Sequence, residues 1–284
     1  MASVMWNSLR AYWQFLNRPA SSSSITRGIE ALPNLLRDTI VITIIFSIIF
    51  LQVNPIISKA LPAVFKSLPV RKKTELPSYV LCLVHHIVAV PFAWITIYRD
   101  FNLTAEAMAT IDYAPITGVI APWCISYLVA DTVFFAIPEA FTGKFEYIIH
   151  HVLTLSLVVS SLFAPGPIMR FIPHLLISDT TNLLFNTAWL VRLFGEKKSF
   201  ILQFLEVSFL LSFFLLRAVN MPCMFWALGA QADGLGYAKY VLVPIALMQW
   251  YWFHKILRIT VAKIFDKAPV STEKSGVEET KKRT

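Results

Sequence analysis

Two adjacent histidines, His150 and His151, stand in the apolar stretch Glu146-Tyr147-Ile148-Ile149-His150-His151-Val152-Leu153-Thr154-Leu155. Imidazole is the side chain best suited to exchange protons near neutral pH. An ionisable group inside an apolar span is costly enough to mark function and to require a partner. The chemistry such a pair offers is general base catalysis or a covalent acyl intermediate. Successive residues of a helix point about 100° apart, so the two rings divide the work: one meets substrate while the other supports it or binds a neighbouring helix. Glu146, His150 and Thr154 follow at i, i+4 spacing and share one face.

Other polar groups interrupt apolar runs. Asp131 lies near the middle of the run before the histidine pair, and His85 and His86 form a second adjacent pair further upstream. Asp179, Asn182 and Asn186 are spaced i, i+3, i+7 and form one polar stripe on a helix. His174 precedes them. Arg217 lies near the end of a later run, where it reaches the interface or anchors an anionic group. Isolated groups such as Gln52 and Ser126 read instead as hydrogen-bonding glue between helices, about 1 kcal/mol or less each, and His254 as a residue snorkelling to the interface. The chain has no compact zinc spacing such as His-Glu-x-x-His, so neither a metal nor a bound cofactor is expected. Cys82, Cys124 and Cys223 stand at unrelated spacings and define no disulfide framework.

These groups need a scaffold, and composition names it. Hydrophobic residues make up 56% of the 284, mean hydropathy is +0.62 and 15% are charged, against roughly 25% charged in a soluble domain. The apolar residues come in blocks, and a block of about 20 crosses the hydrocarbon core. Seven such spans are predicted, at 39–57, 79–98, 116–137, 147–163, 168–193, 200–219 and 237–259. The first is interrupted by Gln52, Asn54 and Pro55, and Ala164-Pro165-Gly166-Pro167 turns the chain between the fourth and fifth. The fold class is all-α, a polytopic membrane bundle. Residues 1–37 form an N-terminal interfacial helix (Trp6, Leu9, Trp13 and Leu16 at helical spacing) and a Ser-rich linker, 38–262 the transmembrane domain, and 263–284 a charged tail.

The excess of Lys and Arg lies on the side of Arg71, Lys72, Lys73, Lys197, Lys198 and the tail, which places the C-terminus in the cytosol and the N-terminus in a lumen. Asn102-Leu103-Thr104 is then a lumenal glycosylation acceptor, and Lys281-Lys282-Arg283-Thr284 a dilysine-like address for the endoplasmic reticulum, read on a cytosolic tail. In this orientation the acid, base and amide groups gather in the cytosolic half of the membrane.

Tyr127-Leu128-Val129-Ala130-Asp131-Thr132 followed by Glu146-Tyr147-Ile148-Ile149-His150-His151-Val152-Leu153-Thr154 resembles the core of the TLC domain, the family that includes the ceramide synthases. Arg217-Ala218-Val219-Asn220-Met221-Pro222 is similar to the Arg-to-Pro element of its penultimate helix, and Gln249-Trp250-Tyr251-Trp252-Phe253-His254 to its aromatic last span. The resemblance covers about residues 70–262. It implies a barrel-like helical bundle in the endoplasmic reticulum membrane. It also implies a catalytic His150–His151 pair with Asp131 in the preceding span, and transfer of a fatty acyl group from acyl-CoA. Where ceramide synthases carry His-Asp-x-x-Asp, this chain has Leu175-Leu176-Ile177-Ser178-Asp179, which resembles the less characterised members.

The function expected from these readings is acyl transfer from acyl-CoA, as co-substrate, to a lipid amine or hydroxyl. His150, His151, Asp131 and Asp179 are the candidate catalytic residues, and His85, His86, Asn182, Asn186 and Arg217 line the substrate. Arg71, Lys72 and Lys73 either attract the anionic CoA moiety or mark a loop near anionic lipids. A non-enzymatic lipid-binding regulator of membrane composition or trafficking is the alternative; no inverted repeat supports a transporter. The partners are membrane lipids and the bilayer, with homodimerisation open and no nucleic acid.

Overall fold

The computed structural model describes residues 23–101, 114–163, 172–173, 175–195, 199–229 and 238–265. Among the described residues every regular element is helical. In chain order these are α1 (Ser23–Ala60), α2 (Pro62–Ser67), α3 (Val70–Phe101), α4 (Ala114–Asp131), a π-helical stretch π1 (Thr132–Ala136), α5 (Ile137–Ala140) and α6 (Phe145–Phe163). A 3₁₀ turn (Ile177–Asp179), α7 (Thr180–Phe194), α8 (Phe200–Ser212), a second π-helical stretch π2 (Phe213–Asn220), α9 (Met221–Gly229) and α10 (Ala238–Phe265) complete the series.

Four of these helices are long and apolar enough to cross a membrane: Pro33–Ala60, Val70–Asp100, Ile120–Ala140 and Phe200–Phe225. The other three predicted spans lie on helices that are shorter or more polar. Phe145–Val159 is a shorter apolar helix, the span at 168–193 is broken by the 3₁₀ turn before α7, and α10 carries Gln249, His254 and Lys255 among its aromatic residues. The N-terminal aromatic helix, Asn102, His174, the Ala164–Pro167 turn and residues 266–284 of the tail lie outside the described residues, whereas 263–265 continue α10.

α1 begins at Ser23, well before residue 39, and runs unbroken past Gln52, Asn54 and Pro55. Asn54 does not interrupt it because its Nδ2 donates to the Lys73 carbonyl at 2.9 Å, tying α1 to the start of α3. Polar residues in a membrane helix often bond outward to a neighbouring helix in this way.

Six helices close a ring. α3 packs on α4, α4 on α6, α6 on α10, α10 on π2, α8 on α7, and α7 back on α3. α1 lies against α3 and α4, and over Pro33–Ala60 few of its side chains are buried, which is how a lipid-facing helix looks. Aromatic contacts carry the packing inward. Phe46 of α1 meets Trp123 and Tyr127 edge-on, with centroids 4.7 and 6.5 Å apart, and Tyr127 stacks on His85 at 4.3 Å.

One turn matters for the site. Between α5 and α6 the backbone reverses at Gly143, whose φ of +90° suits glycine. The Gly143 N–H donates to the Ala140 carbonyl at 2.9 Å, and a Glu139–Lys144 ion pair spans the reversal. The reversal folds α6 back along α4 and π1, bringing His151 to Asp131.

Candidate functional site

The ring encloses a cavity of about 110 Å³ to which each of its six helices contributes. α3 supplies His85 and His86, α4 Tyr127, α6 His150 and His151, the turn and start of α7 Asp179 and Asn182, π2 Arg217, and α10 Gln249. Apolar residues such as Leu157, Val158, Ile172 and Ile245 fill the wall between them. Ligand sites are typically lined by apolar side chains with a few placed polar groups.

Two carboxylate–histidine pairs stand in or behind this wall. The first is Asp131–His151. Asp131 Oδ2 lies 3.4 Å from His151 Nε2, and its Oδ1 accepts from the Ser78 hydroxyl at 2.6 Å. The other ring nitrogen, His151 Nδ1, meets Thr132 Oγ1 at 3.0 Å, and Thr132 donates to the Leu128 carbonyl at 2.5 Å. With the hydroxyl hydrogen committed to Leu128, Thr132 accepts from Nδ1–H and fixes the ring plane, so the contact between Nε2 and Asp131 needs one further proton shared between imidazole and carboxyl. Asp131 is 3% exposed and does not itself line the cavity; it stands behind His151, which does. Ser78→Ala removes a buried donor from this carboxylate and is expected to cost roughly 1–3 kcal/mol. The loss is read as a lower melting temperature of the detergent-solubilised protein beside Ser156→Ala, whose hydroxyl bonds its own helix at the Val152 carbonyl.

His150 is held differently. Its Nδ1 lies 3.4 Å from Thr154 Oγ1 and its ring meets Trp252 of α10 edge-on at 4.9 Å. Its Nε2 has no hydrogen-bond partner among the described residues. The pair thus divides as the 100° offset demands, with His151 anchored to the α4–π1 junction and His150 free to meet a ligand. Glu146, on the same face as His150, pairs with Lys255 of α10 at 3.4 Å and helps fix α6 against that helix.

The second pair is Asp179–His86. His86 Nε2 lies 3.7 Å from Asp179 Oδ2 and 3.2 Å from Asn182 Nδ2, while its Nδ1 donates to the Cys82 carbonyl at 2.5 Å. Asp179 Oδ1 also accepts from Arg217 Nη2 at 3.3 Å and from Asn182 at 3.2 Å. Arg217 is 3% exposed. Its Nε donates to Thr181 Oγ1 at 2.6 Å and the Ser178 carbonyl at 3.2 Å, and its Nη1 to Gln249 Oε1 at 3.0 Å. Of the two sequence-level readings, the anchor holds: the guanidinium is buried on Asp179 and does not reach the interface.

His85, His86 and Asp179 each offer one ligand atom, all within 4.8 Å of one another. An ion holding such ligands at roughly 2.1 Å needs them within about 4.2 Å. Arg217 and Asn182 already occupy the other Asp179 oxygen.

Eight of the nine residues proposed from sequence meet at this cavity or directly behind it. Asn186 stands apart, donating to the Asn182 carbonyl at 2.7 Å and to Cys82 Sγ at 2.9 Å, off the cavity wall. Arg71 and Lys72 are both drawn onto Glu75, at 2.8 and 3.0 Å, and Lys73 Nζ lies over the Phe65 ring. Sequence reasoning named Gln249, Tyr127 and Thr132 only as parts of motifs, without a place at the site, and passed over Ser78. Gln249, the one amide in the apolar first half of α10, carried a signal that could have been read. The two π-helical stretches had none. Asp131 directly precedes π1 and Arg217 lies inside π2, in keeping with the tendency of π-bulges to sit at functional sites.

A family model described as TLC domain matches residues 75–258. No curated protein and no solved structure matches the chain.

Proposed function

The chain belongs to the TLC-domain family, a membrane lipid-related family, and from that premise we propose that it transfers a fatty acyl group from acyl-CoA to the amine or hydroxyl of a lipid in the endoplasmic reticulum membrane. The observation that carries this reading is His150, whose Nε2 has no partner among the described residues, beside His151 paired with Asp131 in the wall of the cavity. His150 Nε2 takes the proton from the lipid amine or hydroxyl. The oxygen or nitrogen forms its bond to the thioester carbonyl carbon, the C–S bond breaks, and the proton passes from His150 to the departing thiolate. The products are an acyl-lipid and free CoA. General base catalysis of this kind typically supplies 10²–10⁴-fold. His151 holds its position through Thr132 and Asp131, and the Asp179–Arg217–His86 network supports the opposite wall. The excess of basic residues on the loops of one side supports a cytosolic C-terminus and a lumenal N-terminus.

The test is release of CoA thiol by the purified protein in liposomes given acyl-CoA and a panel of lipid amines and alcohols. Thiol release that depends on one acceptor class, with the matching acyl-lipid, supports transfer. The mutual satisfaction of Asp179, Arg217 and His86 favours a second reading, a cavity that holds a lipid head group without turning it over. Bound lipid with no thiol release across the panel would select it.

A further inference from the structure

We propose that Gln249 supplies the donor that binds the acyl carbonyl oxygen in this cavity, an inference that rests on the acyl-transfer reading above. Gln249 is 1% exposed and lines the cavity. Its Oε1 accepts from Arg217 Nη1 at 3.0 Å. A guanidinium has only donors, so this bond sets which way the amide faces: oxygen toward Arg217, NH₂ away from it. Arg217 cannot turn aside to release it, being held by the Ser178 carbonyl, Thr181 and Asp179 at 3.2, 2.6 and 3.3 Å.

The Nε2 atom so oriented is buried and has no hydrogen-bond partner among the described residues. Buried polar groups are nearly always paired, and one that is not asks for an explanation. Because the unmet group is a donor, its complement is an acceptor oxygen; an ammonium or a metal cation does not fit it. With Oε1 held on Arg217, Nε2 stays in place as a donor for an acceptor oxygen. Leu157, Val158, Phe225 and Ile245 give an acyl chain an apolar bed in the same cavity that Gln249 and His150 line. As the nucleophile adds, the acyl carbonyl oxygen gains negative charge, and a donor waiting for it contributes more to the transition state than to the ground state. Gln249 forms and breaks no covalent bond; the proton goes to His150 and then to the thiolate.

The experiment uses the full chain in nanodiscs and two unreactive analogues of acyl-CoA. One is a ketone that keeps the carbonyl with CH₂ in place of sulfur, the other a thioether with CH₂ in place of the carbonyl. The wild type is expected to bind the ketone about tenfold more tightly than the thioether. Gln249→Glu keeps an oxygen for Arg217, and so the fold, but replaces the donor with an acceptor; its preference for the ketone is expected to vanish. Its transfer rate is expected to fall about 10²–10³-fold. An undiminished ketone preference in Gln249→Glu overturns the inference and leaves acyl transfer standing. Binding of neither analogue to the wild type overturns the acyl-thioester reading itself, and the inference with it.

Discussion

Arg217→Leu is expected to destabilise the protein by about 3–5 kcal/mol, the cost of removing one member of a buried charged network. The guanidinium is 3% exposed and is shared between two elements: the turn into α7, through the Ser178 carbonyl, Asp179 and Thr181, and α10, through Gln249. Its loss leaves the Asp179 carboxylate without its permanent cation and the Gln249 oxygen without a donor. The ring closes at this point, since π2 carries Arg217 and packs on α10. Thermal unfolding in detergent, followed by tryptophan fluorescence, measures the loss. Arg217→Leu combined with Asp179→Leu removes the stranded charge, so the double variant is expected to be more stable than Arg217→Leu alone. A double variant no more stable than the single one would mean that Arg217 works through packing on Phe213, 5.6 Å away.

The second large effect is chemical. His150→Ala is expected to slow acyl transfer by about 10²–10⁴-fold with little loss of stability. His150 is only half-buried and, among the described residues, its one hydrogen-bonding contact is the 3.4 Å approach to Thr154. His151→Ala differs in kind. It strips Asp131 Oδ2 and Thr132 of their partner, so stability falls together with rate. Rate and melting temperature measured on both variants separate the two roles. Equal loss of stability in both would contradict the division of labour between the rings.

Much of this was legible in the sequence for physical reasons. Apolar blocks that need helices to satisfy their backbone in lipid gave the all-helical class, and ionisable residues in those blocks marked the walls of one cavity. The adjacent positions of His150 and His151 required different partners for the two rings: both line the cavity, but His151 meets Asp131 and Thr132 while His150 meets Thr154 and Trp252. The rest depended on contacts between distant segments. Arg217 near the end of an apolar run reads equally as a snorkelling residue until α7 and α10 close on it. Asn186 shares a helix stripe with Asp179, yet it turns to Cys82, 104 residues away. Pro55 reads as a break, but the Asn54 bond to Lys73 and the packing of α1 on α4 keep the helix whole. Arg71 and Lys72 read as free cations until their own helix supplies Glu75 one turn on.

The most direct test compares acyl transfer by wild type and His150→Ala in the same liposomes, with labelled acyl-CoA and matched amounts of folded protein. A labelled lipid formed by the wild type and lost about 10²-fold or more in His150→Ala is the predicted result. Equal formation by both proteins, or labelled acyl-CoA left intact by a wild type that still holds lipid in its cavity, would contradict it.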